Sequence, residues 1–551
     1  MNFAFLFTRV NIKRMNATST VGRYVVELLA ANGIDVVFGI PGVHTLELYR
    51  GLALTGVRHV LVRHEQNAGF AADGYARVTG RPAAAFVISG PGMTNALTAV
   101  AQAYSDSVPM IVVASAPVRA SLGKGWGVLH ELPDQLVLAA GVAGLARAAS
   151  SAEDVRDHLR AMFASFRGGR ARPVYLQIPL DLLAEPTDLK PERFANPDAR
   201  PLPPQEAIDR AASALANAVR PLIIAGGGAR EASDSLLRLV DVLDGYFVST
   251  TAGKGLLPEA HPANLGASLP FRGTQELVAA ADVVVAVGTE LSETDFYTGT
   301  RLPMAGRLIR IDLDPKKLSD QYGAEIPVCG DARASLEGIA AGVKKRRGWR
   351  SEVGPAADHR AKIEHSLDAP ARARLKALRA IREGVPVEGV VFSDQTQIAY
   401  LGNYAYAVDR PGCWFHPCGY GALGFALPAA IGAKIAQPGR PVVALAGDFG
   451  LQFTLQDLMT AVELELSLPV VVWNNAALGQ IRDDMQSAGI PPLGVVALNP
   501  DFLAVARAFG AEAMRAAGPS ALTEGIRRAL AGNGPTLIEA VESDFAGRAL
   551  P

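Results

Sequence analysis

Two apolar runs in this 551-residue chain each end on a residue suited to holding a cation. "RPVVALAGD" (440–448) closes on Asp448, and "LPVVVWNN" (468–475) closes on Asn474 and Asn475. A carboxylate and an amide oxygen are ligands that a hard cation such as Mg2+ accepts, usually with phosphate and water completing the shell. Gly447 and Gly450 flank the acid and let backbone N–H groups approach phosphate oxygens. The next segment, "LQFTLQDLMTAVEL" (451–464), predicts one helix whose positive N-terminal end faces the same point. Read singly, Asp448 is a helix cap and the two asparagines are turn residues. Read together, two strand ends carrying these side chains describe a metal–diphosphate site.

Three further residues stand where chemistry is plausible on type alone. Glu65 follows Arg63 and His64 just ahead of an Ala/Gly-rich helix, "NAGFAADGYA" (67–76). In isolation it is a solvated acid in a first helical turn, favoured by the macrodipole. His44 follows a "GIPG" turn (39–42), and His130 lies in "LGKGWGVLHELPDQ" (122–135). A lone histidine is more often structural than catalytic.

These residues must be positioned by a large α/β framework. The chain reads as three doubly wound parallel-sheet domains, at 18–186, 206–340 and 370–551, after a flexible extension at 1–17. Apolar runs such as "AAAFVIS" (83–89), "DVVVAVGTEL" (282–291) and "RPVVALAGD" alternate with helical stretches, the pattern of parallel strands covered on both faces. "ANPDARPLPPQ" (195–205) reads as a linker, and the charged "KKRRGWRSEVGPAADHR" (344–360) separates the last two blocks. The glycines at 226–228 are a weak nucleotide signal, since strand-to-helix turns in any such sheet use glycine.

A formal net charge of −1 gives no reason to expect nucleic acid or an anionic membrane as partner. No run approaches the ~20 apolar residues of a membrane span. Three cysteines, Cys329, Cys413 and Cys418, in no metal-like spacing, suit a reducing cytoplasm. "MNFAFLFTRVNIKRM" has too short an apolar core for a secretory signal, and we read it as an extension upstream of a start at Met15.

The motif order then carries a resemblance. "GDFG", followed at a distance by "NN", resembles the GDG…NN signature of thiamine-diphosphate enzymes. "GIPGVHTLELYRGL" (39–52), "RHEQNAGFAADGYARVTG" (63–80) and "ISGPGMTNALTAVAQAYSDSVPM" (88–110) resemble the pyrimidine-binding domain of the acetolactate synthase and 2-oxo-acid decarboxylase group. "GYGALGFALPAAIGA" (419–433) is similar to the group's cofactor-cradling segment. The likeness runs over residues 18–545. It implies thiamine diphosphate held through Mg2+, with Asp448, Asn475 and Ala477 at the metal. It implies cofactor contacts from Gln397 (in "SDQTQ", 393–397), Gly421, Leu423, Gly447, Asp448, Phe449, Gly450, Asn475 and Leu478. Phe449 departs from the signature's third glycine; only its backbone is required there, so it fits if φ stays negative. FAD is not favoured.

For Glu65 the resemblance implies a hydrogen bond to the cofactor's pyrimidine nitrogen and the proton exchange that activates the thiazolium carbon. Leu423 takes the position of the apolar wedge that bends the cofactor, and the Gly421 carbonyl that of the acceptor for its amino group. The cofactor would lie between the first domain of one chain and the third of another, in a homodimer or homotetramer.

The 122–135 loop, the His44 turn and "GTELSETD" (288–295) are similar to 5-guanidino-2-oxopentanoate (2-ketoarginine) decarboxylase-like proteins. Such a substrate needs a carboxylate for its guanidinium, and Glu131 or Asp134 is available, with His44 and His130 beside the expected pocket. "NNAALGQI" departs from that subgroup, with Gln480 in place of an acid. The readings are non-oxidative decarboxylation of a 2-oxo acid, an acetolactate-synthase-like carboligase, and, from another class, a non-catalytic nucleotide-binding regulator.

Overall fold

The computed structural model describes residues 19–195, 200–297, 301–345, 348–496 and 498–546. The expected extension at 1–17 lies outside them. Three all-parallel sheets account for the long apolar runs. Their central strands, such as Ala83–Val87, Val283–Val287 and Val442–Gly447, are buried along their whole length because helices cover both faces. Among the described residues, no helix is long and apolar enough to cross a membrane.

In the first sheet the strands lie in the order Arg58–Leu61, Val36–Gly39, Ala83–Val87, Met110–Ala116, Val174–Pro179 and Leu145–Ala148. Strand order reverses at Val36–Gly39, so a crevice opens beyond Gly39 and Val87, where ligands collect in such sheets. The second sheet runs Ile326–Cys329, Arg307–Asp312, Val283–Val287, Pro221–Ala225, Tyr246–Ser249. The third runs Trp414–Phe415, Val390–Ser393, Val442–Gly447, Leu468–Asn474, Pro535–Val541, Glu512–Arg515. Its reversal point lies between Val390–Ser393 and Val442–Gly447, paired in parallel with Ser393 opposite Leu445.

The first and third domains share one apolar core, continuous from Phe38 and Phe70 to Phe425, Ala429 and Val470. Two helices make the junction, Glu65–Thr79 and Ala426–Ala436. They cross almost backbone to backbone. A Cβ on Gly74 would sit 1.9 Å from the Ala429 carbonyl oxygen, and one on Gly432 1.9 Å from that of Ala71. Both glycines are helical, so it is the close approach and not φ that requires them. Phe70 and Phe425 meet edge to face at 5.5 Å beside the crossing.

One expectation needs correction. Residues 451–464 are not one helix. A helix runs Asp448–Thr454, a 3-10 turn covers Leu455–Asp457, and a second helix runs Leu458–Glu463. The break lies where the Asp457 carboxylate leaves its own helix to accept from the Arg63 N–H (3.1 Å) and the Asn67 side chain in the first domain. Part of the charged stretch that separates the last two blocks packs on the central domain. Trp349 packs edge to face on Tyr246 at 5.0 Å, and Asp244 accepts from the Gly348 N–H at 2.7 Å, so this part folds onto the central domain.

Candidate active site

Asp448 is buried at the first position of its helix, with Gly447 as the N-cap. Its Oδ2 accepts from Asn499 Nδ2 at 2.7 Å, and its Oδ1 from the Phe449 N–H at 3.1 Å. Burial raises its pKa from the ordinary value, opposed by the Asn499 hydrogen bond. Asn499 also donates to Asn474 Oδ1 at 3.0 Å, so one amide ties the two strand ends together. Phe449 is helical and not among the residues with positive φ, as its place in the signature requires.

After Asn474 the chain turns through Ala476 (φ +52°). Asn475 Oδ1 accepts from the Ala477 N–H at 3.2 Å, and the Leu478 N–H donates to the Val495 carbonyl at 2.8 Å. Gln397 Oε1 receives Asn475 Nδ2 (3.3 Å) and Arg374 (2.8 Å), while its Nε2 donates to Asp483 (2.7 Å). A Cβ on Gly479 would fall 2.4 Å from Gln397 Oε1 and 2.6 Å from Asn475 Nδ2, so this corner is closed by bare backbone.

Asp394, the acid at the neighbouring strand end, organises the segment that carries Gly421 and Leu423. It is buried and accepts the Gly424 N–H at 3.1 and 3.0 Å and the Ala426 N–H at 3.4 Å. Burial pushes its carboxyl up to about 6 against those donors. Gly421 and Gly424 take left-handed φ of +71° and +84°, which glycine adopts without strain. The first domain of the same chain supports this turn from behind: Asp106 accepts the Gly419 N–H at 2.8 Å and Gln102 the Ala422 N–H at 3.1 Å. Leu423 between them is half-buried. Asp394, Asn499 and Gln102 were not among the residues singled out from sequence. Asp394 carries the same strand-end signal as Asp448; the other two carry none.

On the first domain, His64 caps the helix that Glu65 begins. Glu65 Oε2 accepts from Asn95 Nδ2 at 2.9 Å, and a Cβ on Gly92 would lie 3.3 Å from Oε1. At the sheet's reversal point, His44 Nδ1 and Ser89 Oγ are 2.5 Å apart, and the His44 and His130 rings meet at 4.8 Å. Burial, with His130 adding to it, lowers the His44 pKa, which keeps that ring neutral. The two histidines are therefore one cluster.

Glu131 is turned elsewhere. Its oxygens accept the N–H groups of Gly125 (3.0 Å) and Gly127 (2.7 Å), because that loop, with left-handed φ at both glycines, leaves these donors without helix or sheet partners. Asp134 caps the helix Gln135–Ala140 through the Val137 N–H at 3.0 Å. Both acids of the pair expected to meet a guanidinium thus also accept backbone N–H groups of their own loop. No hydrogen bond or ion pair among the described residues joins the Glu65–His44–His130 set to the Asp448–Asn475 set within one chain.

The donor set suits a diphosphate carried by a hard cation. It offers one carboxylate, amide and backbone oxygens, and a helix N-terminus. Among the described residues no group of three or more His, Cys, Asp or Glu could hold a metal alone, so a cation here needs oxygens from its ligand.

Comparison with known proteins accounts for all three domains. Residues 19–138 match the family model described as thiamine pyrophosphate enzyme, N-terminal TPP binding domain. Residues 208–339 match the central domain of the same enzymes, and 394–540 the C-terminal TPP binding domain. The chain is 46% identical to the probable 2-ketoarginine decarboxylase AruI of Pseudomonas aeruginosa, over 97% of this chain and 96% of that protein. It is 33% identical to the acetolactate synthase isozyme 3 large subunit of Escherichia coli, over 92% and 91% of the two chains. With the probable acetolactate synthase large subunit of Methanocaldococcus jannaschii it shares 29%, over 94% and 91%. These matches cover both halves of the site described above, and the chain belongs to the thiamine pyrophosphate enzyme family.

Proposed function

We propose that this chain is a thiamine-diphosphate- and Mg2+-dependent decarboxylase of a 2-oxo acid, with 5-guanidino-2-oxopentanoate as substrate. The observation that carries the reading is the near full-length likeness to a protein named as a probable 2-ketoarginine decarboxylase. The strand-end site supports the cofactor. When bound, thiamine diphosphate supplies a carbon nucleophile for the 2-oxo carbonyl and an electron sink for the bond to CO2.

The chain's own residues do the rest. Asp448, the Asn475 side chain and the Ala477 backbone would hold Mg2+. The N-terminal end of the Asp448–Thr454 helix, with Gly450, Phe449 and Leu478 around it, would receive the diphosphate. The Asp394-held turn would fix Gly421 and Leu423 against the ring system. Glu65 would hold a proton against the pyrimidine nitrogen, kept in place by Asn95. His44, neutral and fixed through Ser89, and His130 would face the reacting carbonyl.

The two halves belong to different copies in this reading. Val43, Leu46, Trp126, Leu129 and Val137 are exposed apolar residues around the first half. Tyr420, Phe453, Ile481, Leu493 and Leu498 are exposed around the second. Exposed apolar surface of this extent marks an interface, and two-fold pairing would bring one set onto the other.

The test is incubation of the protein with thiamine diphosphate, Mg2+ and a panel of 2-oxo acids, following CO2 and products. Turnover of 5-guanidino-2-oxopentanoate to an aldehyde is expected. Release of CO2 with formation of a carbon–carbon bond between two substrates would favour the synthase reading, which the 33% likeness supports.

A further inference from the structure

A cationic substrate needs an anion in its pocket, and the two candidates in the 122–135 loop are tied to backbone. A cavity of about 1870 Å3 lies where the three domains meet. It is reached by the strand ends Gly226 and Gly288 of the central sheet, and by His416, Cys418 and Gly419. Those last three lead directly into Gly421. The cavity therefore runs from the central domain to Gly419, two residues before Gly421.

Asp295 lines this cavity. It sits on a short loop after the strand Val283–Val287, in the segment 291–297. The loop is bracketed by two non-glycine residues with left-handed φ, Leu291 (+50°) and Tyr297 (+52°), a conformation that costs energy and collects at functional sites. The Asp295 carboxylate receives Ser292 Oγ at 3.3 Å, from within its own turn. No ion pair among the described residues reaches it. Most other acids of the cavity wall are paired: Glu290 with Arg170, Arg172 and Lys317, Asp312 with Arg170, Asp106 with Arg77, Asp320 with Arg310 and Glu231 with Arg200. Glu293 is exposed, and Asp314 accepts the Lys316 N–H. The Arg230 guanidinium stacks on the Phe415 ring at 4.9 Å instead. Burial, with Glu290 and Asp106 adding to it, pushes the Asp295 carboxyl up to about 7. A cation beside it would reverse that shift.

A second group in the same wall has one unpartnered atom. His416 is 2% exposed, and its Nδ1 is 2.9 Å from Ser393 Oγ, while its Nε2 has no partner among the described residues. Burial pushes its pKa down to about 3, so the ring is neutral and no rival cation for Asp295. Asp295 shares this wall with Cys418 and Gly419, so the Asp295 loop and the segment leading to Gly421 face the same cavity.

We propose that Asp295 is the specificity-determining carboxylate that receives the cationic end of the substrate, a guanidinium in the reading above, on which this inference rests. The reacting end would lie toward Gly421 and Leu423 and the tail toward the central domain.

The experiment uses the full chain, loaded with thiamine diphosphate and Mg2+, as wild type, Asp295→Asn and Asp295→Glu. Decarboxylation is measured with 5-guanidino-2-oxopentanoate and with the neutral 2-oxohexanoate. Cofactor loading is followed separately by near-UV circular dichroism. Removing one partner of a desolvated charge pair should raise KM for the guanidinium substrate about 30-fold or more in Asp295→Asn. KM for 2-oxohexanoate and cofactor loading should stay near wild type, and Asp295→Glu should recover most of the guanidinium preference. Equal losses on both substrates, an unchanged KM for the guanidinium substrate, or failed cofactor loading in both variants would each overturn the assignment. A wild type that decarboxylates 2-oxohexanoate but not 5-guanidino-2-oxopentanoate keeps the decarboxylase reading and overturns this one. A wild type that releases CO2 from neither overturns the decarboxylase reading itself.

Discussion

Replacing Gly74 by alanine tests how the first and third domains are joined. In an ordinary helix interior this change is stabilising by about 0.5–1 kcal/mol, because glycine loses more backbone freedom on folding. Here the new Cβ would sit 1.9 Å from the Ala429 carbonyl oxygen, far inside the 3.0 Å that real Cβ contacts respect. The obstacle is backbone of a buried helix and cannot rotate away, so the helices must part by about an ångström. Overpacking of this kind costs about 1–3 kcal/mol, and the upper part of that range applies because the shift also loosens Phe70 against Phe425. Net of the propensity gain, Gly74→Ala should destabilise by about 1–2 kcal/mol. Gly432→Ala meets the Ala71 carbonyl oxygen at the same 1.9 Å and should cost as much. Once one alanine has parted the helices, the second has less to displace, so the double variant should cost clearly less than the two singles added. Gly168→Ala, at a helical position with open space around it, is the control and should be neutral or stabilising. Differential scanning calorimetry of the four variants decides it. If Gly74→Ala raises the transition temperature as Gly168→Ala does, or if the double variant is strictly additive, the backbone contact does not set the domain junction.

At the site, Asp448→Ala should abolish Mg2+-dependent binding of thiamine diphosphate, with calorimetric affinity as the measure. Glu65→Gln should still bind cofactor and lose about 10²–10⁴-fold in turnover, since an amide can accept or donate a hydrogen bond but cannot exchange the proton. Co-expressed Glu65→Gln and Asp448→Ala chains should regain activity in the heterodimer, where one site carries both defects and the other neither; heterodimers as inactive as their parents would mean that one chain builds each site. Asp394 has a raised pKa of about 6, so its contribution to stability is present at low pH and lost as pH rises through about 6. Thermal stability of wild type relative to Asp394→Asn should therefore fall between about pH 4 and pH 7, by at most about 3 kcal/mol for a shift of roughly two units, and flat pH profiles would refute it.

The sheets were legible in sequence because fully buried parallel strands write themselves as unbroken apolar runs, and Asp448 and Asn475 were legible because a polar residue ending such a run is conspicuous. Asp394 carried the same mark, yet sequence reasoning settled on Gln397, which in the structure links Asn475 to Arg374 and Asp483. Asn499 could not be found: its task depends on a loop returning to a strand end, which no local pattern records. The single helix expected at 451–464 failed for a related reason. Its break answers to Arg63 and Asn67, residues of another domain that leave no trace in the helix's own periodicity. At Glu131 the sequence shows an acid but not the Gly125 and Gly127 N–H groups that its loop turns onto the carboxylate.

The crossing of the two helices also fixes an order of events during synthesis. Gln437, just past one helix, donates to the Val78 carbonyl near the end of the other, 359 residues away. At about 5–20 residues per second, the first domain waits roughly 20–70 s after it leaves the ribosome before its partner helix exists. Through that interval the Gly/Ala face of the Glu65 helix lacks the helix that covers it in the folded chain. The nascent protein is most open to misassociation then, and a chaperone that shields this one helix face would matter most for its yield.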